Sequence, residues 1–230
     1  MASQFRPGID ARLHETNHRV ANSLQLAVSM LMRDAQKIAD PRARALIAET
    51  ATRVGTIALM HRALLAPAEA GFAFDAYLHA VLDSLRTAFC AERDIRLLTQ
   101  ADPVAVDVDC GTMLGLVVHE LVTNAIKHAG PGTRTVQVSC GYDRDGAIWI
   151  EVEDDGAGMP AGTTLRRGAS GLGLAVTLLA TVDGAITLGD CARGTKFIIK
   201  VPASVGVARV IRMPPAGPSR RGIGRRPVSP

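Results

Sequence analysis

Between Ala11 and Leu65 apolar residues recur at three-and-four spacing, and the run is cut once, at Asp40-Pro41. Val20, Leu24, Ala27, Val28 and Leu31 mark one side of a helix from about Ala11 to Ile38. Ile47, Ala51, Val54, Ala58, His61 and Leu65 mark a second, which should end near Ala66-Pro67. Proline suits the first turn of a helix and restricts the residue before it, so the break predicts a hairpin rather than one long rod. Two helices alone leave half of each apolar stripe in water. A second copy that closes a four-helix bundle removes that exposure, so a homodimer is expected.

From Gly71 the pattern becomes mixed. Phe72 to Phe74 reads as a short strand, Asp75 as the N-cap of a helix through about Ala91, and Ile95 to Thr99 as a strand. A longer helix is expected from Gly111 to Ala129, closed by Gly130-Pro131. Thr135 to Cys140 and Ala147 to Glu153 alternate as paired strands do. A glycine-rich stretch from Gly156 to Gly173 then leads into a helix through Val182, and Ala185 to Leu188 and Thr195 to Val201 read as two further strands. The expected fold class is α+β: a helical hairpin followed by an α/β sandwich with a mostly antiparallel sheet. A length of 230 residues accommodates both modules.

Charge placement limits what such a chain binds. The net charge is +4, but the last 28 residues hold six arginines and no acid, which leaves the first 202 residues at −2. Any contact with nucleic acid would therefore rest on this Pro/Gly/Arg-rich tail, whose composition reads as a disordered, solubilising end. Only eight residues are aromatic, which disfavours base-stacking modules. Cys90, Cys110, Cys140 and Cys191 have neither zinc-knuckle nor dithiol spacing. No secretory leader opens the chain and no apolar run approaches the roughly 18 to 20 residues that cross a bilayer, so a cytoplasmic protein without a membrane span is expected.

On the helix from Gly111, the residues Glu120, Asn124 and Lys127 fall on one face. A carboxylate and an amide oxygen can take part of a magnesium shell, and an amine one turn on can meet a phosphate. The same spacing also stabilises any exposed helix. Further on, Asp154-Asp155-Gly156-Ala157-Gly158 follows a strand, and Gly171-Leu172-Gly173 opens a helix. Glycines admit close backbone approach and a helix start offers free amides, so the pair makes a phosphate cradle, although tight turns alone would explain either cluster. The long loop between them departs from the dinucleotide-binding fingerprint.

Taken in order, the asparagine helix, the Asp-x-Gly-x-Gly strand end, the Gly-x-Gly helix start and Gly194-Thr195-Lys196-Phe197 resemble the GHKL-type ATP-binding domain shared by histidine kinases, gyrase, Hsp90 and MutL. The resemblance covers about Phe72 to Pro202. It implies ATP and magnesium as ligands, with Asn124 holding the metal and Glu120 assisting. It also implies Asp154 on the adenine amino group, Gly156 and Gly158 shaping the adenine pocket, Gly171 and Gly173 at the lid base, and Thr195 beside the adenine, while the helix-face spacing places Lys127 near phosphate. Asp155 reads as a solvated strand-end acid, and His128 as packed or exposed rather than catalytic.

Upstream, Glu15-Thr-Asn-His18-Arg-Val-Ala-Asn22-Ser-Leu-Gln25 resembles the phospho-acceptor box of the His-Arg-Val-x-Asn, HWE-like subgroup of histidine kinases. His18 lies off the apolar stripe, with Glu15 and Asn22 a turn before and after it on the same face. A neutral imidazole nitrogen suits attack on phosphorus; Glu15 would orient the ring or accept its proton, and Asn22 would position water or phosphate. His14 is the nearest decoy. Two features depart from the subgroup: Ala21 stands where lysine is usual, and the lid between Met159 and Gly171 is short.

The expected organisation is a lead over 1–10, a dimerisation and acceptor hairpin over 11–68, an ATP-binding domain over 69–202 and a tail over 203–230. The expected function is a histidine protein kinase of a two-component relay that phosphorylates His18 from ATP and passes the phosphoryl group to an aspartate on a response-regulator receiver domain. Ten leading residues cannot hold a sensor, so input would come from a separate sensory partner, from the tails, or not at all. A phosphotransferase or scaffold with a vestigial nucleotide domain is the alternative, and a serine kinase of the same ATP fold would not need the acceptor box.

Overall fold

The computed structural model describes residues 7–63, 72–90, 94–128, 135–159, 164–168 and 171–203. Helices α1 (Pro7–Gln36) and α2 (Pro41–Ala63) form the hairpin, with the break at Asp40-Pro41 where the sequence places it. Asp40 Oδ1 accepts from Arg42 N at 2.9 Å, which satisfies one free amide of the new helix. Ala21, Ala35, Ala51 and Ala58 are buried between the helices, small side chains that let the two backbones approach. Leu26, Met30 and Leu46 remain 58%, 52% and 62% exposed, so the lone hairpin leaves apolar surface uncovered.

The second unit follows in the order β1 (Phe72–Ala73), α3 (Phe74–Leu85), a π-helical turn (Arg86–Cys90), β2 (Arg96–Ala101), β3 (Ala105–Val106) and α4 (Val108–Lys127). It continues with β4 (Thr135–Tyr142), β5 (Ile148–Asp154), α5 (Gly171–Leu179), a 3-10 turn (Ala180–Val182), β6 (Ala185–Gly189) and β7 (Thr195–Val201). Strands β2-β4-β5-β7-β6 form one sheet in that order, parallel only between β2 and β4, while β1 and β3 pair antiparallel in a separate ribbon. The mostly antiparallel sheet is therefore present. One face is apolar because alternate residues point to it: Val136, Val138 and Cys140 from β4, Ile148, Ile150 and Val152 from β5, Phe197, Ile199 and Val201 from β7. Helices α3, α4 and α5 cover that face, and the opposite face carries Lys196 paired with Glu151 and Glu153 at 2.9 and 3.4 Å.

Three local expectations differ. Asp75 does not cap α3; the N-cap position is Ala73, and Asp75 Oδ1 instead accepts from Val104 N at 3.4 Å. Helix α4 starts at Val108 rather than Gly111, because Asp107 caps it by accepting from Cys110 N at 2.8 Å. Gly111 is an interior residue whose missing side chain makes room for Phe72, since a Cβ there would lie 2.7 Å from its ring. Strand β3 carries no sequence signal beyond two residues. The expected helix closure at Gly130-Pro131, the middle of the lid and the arginine-rich tail after Ala203 lie outside the described residues.

The hairpin is bolted to the sandwich. Tyr77 of α3 crosses α4 at Gly115, where a Cβ would stand 2.5 Å from the phenol oxygen, and its Oη donates to Thr56 O of α2 at 3.0 Å. Burial pushes the Tyr77 phenol well up from its ordinary value, so it remains a donor.

Candidate functional site

A cleft of about 420 Å³ opens between the C-terminal half of α4 and the edge of the sheet, within the ordinary size range of small-molecule sites. Helix α4 contributes Asn124 and Ala125, and its C-cap residue is His128; the end of β5 contributes Asp154; the following loop contributes Ala157, Gly158 and Met159. Leu172 enters from the start of α5, and Thr195 and Phe197 from β7. Apolar walls with two or three polar groups suit a flat heterocycle held by few hydrogen bonds.

Asp154 sits where β5 leaves the sheet. Its Oδ1 accepts from Gly156 N at 2.9 Å, and the carboxylate's second oxygen has no partner among the described residues. Thr195 is the register partner of Asp154 on β7 and is buried. Glycines make this corner possible. Gly194 has φ +84°, and a Cβ on it would fall 1.7 Å from Asp154 O; Gly158 has φ +80°, and a Cβ there would fall 2.8 Å from Gly194 O. Asp155 turns the other way: its carboxylate accepts from Thr135 N at 3.0 Å and its amide donates to Thr135 O at 3.3 Å, which ties the ends of β4 and β5 together.

At the other wall, Gly171 begins α5 with φ +55°, and its open side faces the Asn124 amide, 3.8 Å from where a Cβ would stand. Asn124 thus lies beside a helix N-terminus, whose dipole favours anions. Gly173 serves packing: a Cβ there would meet Gly168 Cα at 2.8 Å, while Gly168 N donates to Gly173 O at 2.9 Å. Thr177 Oγ1 is within 2.9 Å of Gly173 O and 3.1 Å of Gly168 O, which pins the described end of the lid to α5.

Glu120 and Lys127 share α4 with Asn124 but do not line the cleft. Both chelating nitrogens of Arg53 on α2 meet the Glu120 carboxylate, Nη2 at 2.8 Å from Oε2 and Nε against Oε1, and Glu120 is 2% exposed. Lys127 pairs with Glu49 of α2, and Glu49 also accepts from Arg53 Nη2 at 2.7 Å. Burial pushes the Glu120 carboxyl up, but the neighbouring His119 ring and Arg53 guanidinium outweigh it and hold the group below the usual glutamate value. His119 is itself fully buried, its Nδ1 3.5 Å from Glu120 Oε1, and among the described residues neither ring nitrogen nor the Thr123 hydroxyl has a hydrogen-bond partner.

On the hairpin, His18 is exposed and its Nδ1 lies 3.0 Å from Asn22 Nδ2. Glu15 is exposed one turn earlier. Next to His18, Asn17 Oδ1 lies 3.4 Å from Nδ1 of His61 on α2, which fixes the level of the acceptor along the bundle.

The structure therefore gathers Asn124, Asp154, Gly158 and Thr195 around one cleft, with Gly156, Gly171 and Gly173 shaping its walls. His18, Glu15 and Asn22 lie together on the hairpin. His128 and Phe197 also line the cleft, and Gly194, which directly precedes Thr195, shapes its corner. Among the described residues no cluster of three or more His, Cys, Asp or Glu side chains fits a metal held by protein alone. The donors do fit a magnesium ion carried mainly by phosphate and water, to which Asn124 Oδ1 would add one neutral ligand.

Comparison with known proteins agrees with this arrangement. A family model described as histidine kinase matches residues 15–89, and one described as histidine kinase-, DNA gyrase B-, and HSP90-like ATPase matches residues 111–205. Sensor histidine kinase PdtaS of Mycobacterium tuberculosis is 34% identical over 199 residues, 84% of this chain and 40% of that protein. Blue-light-activated histidine kinase 2 of Erythrobacter litoralis is 29% identical over 160 residues, 66% of this chain and 45% of that protein. The chain thus spans less than half the length of these curated relatives. The solved histidine kinase domain of the Erythrobacter litoralis EL346 blue-light activated kinase superposes with a TM-score of 0.61 at 26% identity, over 86% of this chain and 94% of that one.

Proposed function

Because the chain belongs to the histidine kinase family, through an acceptor segment at residues 15–89 and an ATPase segment at residues 111–205, we propose that it is an ATP-dependent protein histidine kinase acting on its own His18. The observation that carries this reading is the coexistence in one chain of a formed cleft around Asn124, Asp154 and Thr195 and an exposed His18 flanked by Glu15 and Asn22. A vestigial nucleotide domain would have no need of the two close glycine approaches, at Gly158 and Gly194, that shape the Asp154 corner.

In this reading the adenine lies against Phe197, Met159 and Ala125, with its amino group donating to the unpartnered oxygen of Asp154. The triphosphate runs toward Asn124 and the amides at the start of α5. Asn124 would hold a magnesium ion together with phosphate and water, and the ion would supply neutralisation of phosphate charge. The α5 N-terminus would stabilise the phosphates.

At the acceptor, a neutral imidazole presents one nitrogen lone pair to the γ-phosphorus. Amide orientation is set by hydrogen bonding, so an Asn22 turned to present Oδ1 accepts from Nδ1–H and leaves the Nε2 lone pair free. The N–P bond forms as the bond from phosphorus to the ADP oxygen breaks, and the ring proton passes to Glu15 or water. The phosphoryl group then moves to an aspartate oxygen of a response-regulator receiver domain as the N–P bond breaks, and the ring takes a proton back from Glu15 or water, which restores neutral His18. The uncovered Leu26, Met30 and Leu46 support a homodimeric bundle. No described helix is long and apolar enough to cross a membrane; we place the reaction in the cytoplasm, where ATP and receiver domains are found.

The test is incubation with γ-labelled ATP and magnesium. An acid-labile, base-stable label is expected on the wild type and on His14→Ala and absent from His18→Ala; label retained by His18→Ala overturns the assignment.

A further inference from the structure

Each helix of the hairpin turns toward the other a seam of residues spaced four and three apart. On α1 the seam runs from Asn17 through Ala21, Leu24 and Val28, and on α2 from Ala51 through Val54 and Ala58 to His61, all of them buried or half-buried. Asn17 and His61 are the polar members of these two series, and they meet: Asn17 Oδ1 accepts from Nδ1 of His61 at 3.4 Å. An amide oxygen offers only lone pairs, so this bond places a ring proton of His61 on Nδ1.

The apolar part of the seam leaves helix rotation loosely set. Ala21 and Ala58, each one turn nearer the Asp40-Pro41 break, are both 1% exposed, and methyl groups let backbones approach while fitting over a range of rotations. The buried hydroxyls of α2 stay within their own helix, Thr52 donating to Glu49 O at 2.8 Å and Thr56 to Thr52 O at 3.2 Å. The turn joins the helices only at the far end, about 28 Å from Asn17 at about 1.5 Å of rise per residue. A polar residue at one seam position of a helical bundle specifies register at a cost in stability, and here the pair stands at the open end.

That end carries the acceptor. His18 follows Asn17 by about 100° round α1, and Asn17 is half-buried while Glu15, His18 and Arg19 are exposed. Holding Asn17 inward therefore holds the imidazole outward in one direction. Glu15 and Asn22 cannot do this, because they share α1 and turn with His18. On the kinase reading above, we propose that Asn17 and His61 are positioning residues, whose hydrogen bond across the seam fixes the rotation of α1 at His18 and thereby the line along which the imidazole meets the γ-phosphate. Transfer needs the reacting atoms at roughly 3 to 3.5 Å and in line, so a small turn of the acceptor helix slows the reaction without changing nucleotide affinity.

The test compares the full chain as wild type, Asn17→Leu, His61→Leu, the double leucine variant and His61→Asn, whose amide nitrogen stands about where Nδ1 does. Initial rates of His18 labelling over a range of magnesium-ATP concentrations give kcat and KM, and thermal unfolding gives stability. Each single leucine variant leaves one half-buried polar group unpaired and should melt below the wild type, whereas the double variant leaves none and should melt at or above it. The double variant should nevertheless show a kcat about tenfold lower with KM unchanged, and His61→Asn should keep most of the wild-type rate. A wild-type kcat in the double variant, or rates that simply follow melting temperature across the series, overturn the positioning role. If the wild type carries no label, the kinase reading fails. The distance between spin labels on Arg19→Cys and Arg62→Cys, in a Cys191→Ser background diluted with unlabelled chain, then decides the role of the pair: a narrow distribution that broadens in the double variant supports it, and an unchanged one overturns it.

Discussion

Gly194 stands so close to Asp154 that a single added carbon would fall 1.7 Å from the Asp154 carbonyl oxygen, well inside any non-bonded contact. The start of β7 and the end of β5 can share this corner only while residue 194 lacks a side chain and keeps φ at +84°. Gly194→Ala is expected to cost on the order of 3 kcal/mol of stability and to abolish binding of an ATP analogue. Thermal unfolding and calorimetry check this; an unchanged melting temperature would mean that the corner relaxes.

Asp154 offers a different kind of test, since its Oδ1 already holds Gly156 N and the residue lines the cleft. An asparagine can still accept from Gly156 N, so Asp154→Asn should fold with near wild-type stability. It should lose about 10- to 100-fold in affinity for ATP, the range expected for a hydrogen bond to a charged group. Measuring GTP beside ATP sharpens the result, because the loss should fall on the adenine nucleotide. Equal affinity of wild type and variant for ATP would move the base elsewhere in the cleft.

The lowered Glu120 pKa makes a statement about acid stability. A carboxyl whose folded-state value lies below its unfolded value contributes stability that is complete above the unfolded value and is lost as pH falls through the folded one. Glu120→Gln should therefore lower stability at neutral pH and flatten its decline on acidification. Urea midpoints from about pH 7 down to about pH 3 read this directly. A decline as steep in the variant as in the wild type would assign the acid limb to other carboxylates.

The uncovered face of the hairpin predicts an oligomeric state. Leu26 and Met30, one turn apart and more than half exposed, contribute little to the fold of a single chain. Leu26→Glu with Met30→Glu should leave helicity intact and convert a dimer to a monomer, as sedimentation equilibrium would show. A variant that stays dimeric places the interface on another surface.

Much of this was legible in the sequence, for reasons that differ by residue. The break at Asp40-Pro41 follows from backbone sterics alone, Gly158 and Gly173 were legible because their backbone approaches leave no room for a side chain, and Gly171 because it opens a helix with a positive φ. Asn124 and Asp154 could be placed once the strands and helices around them were ordered. Other features were hidden because they depend on contacts between distant segments. Asp75 has the composition of a cap but serves Val104, and Gly111 reads as a helix start because nothing local reveals Phe72 lying against it. Glu120 and Lys127 share a helix face with Asn124, and only the docking of α2, more than 60 residues away in sequence, diverts them to Arg53 and Glu49.

The parallel pairing of β2 with β4 has a consequence for how the protein is made. Parallel neighbours need a crossover, and here the crossover is α4, the helix that carries Asn124. That helix can settle on the sheet only when two strands separated by the whole connection have found each other, whereas the β4-β5 hairpin can form from local contacts. The cleft should thus be completed in a late, slow phase of refolding, and the recovery of nucleotide affinity should lag behind the recovery of strand signal.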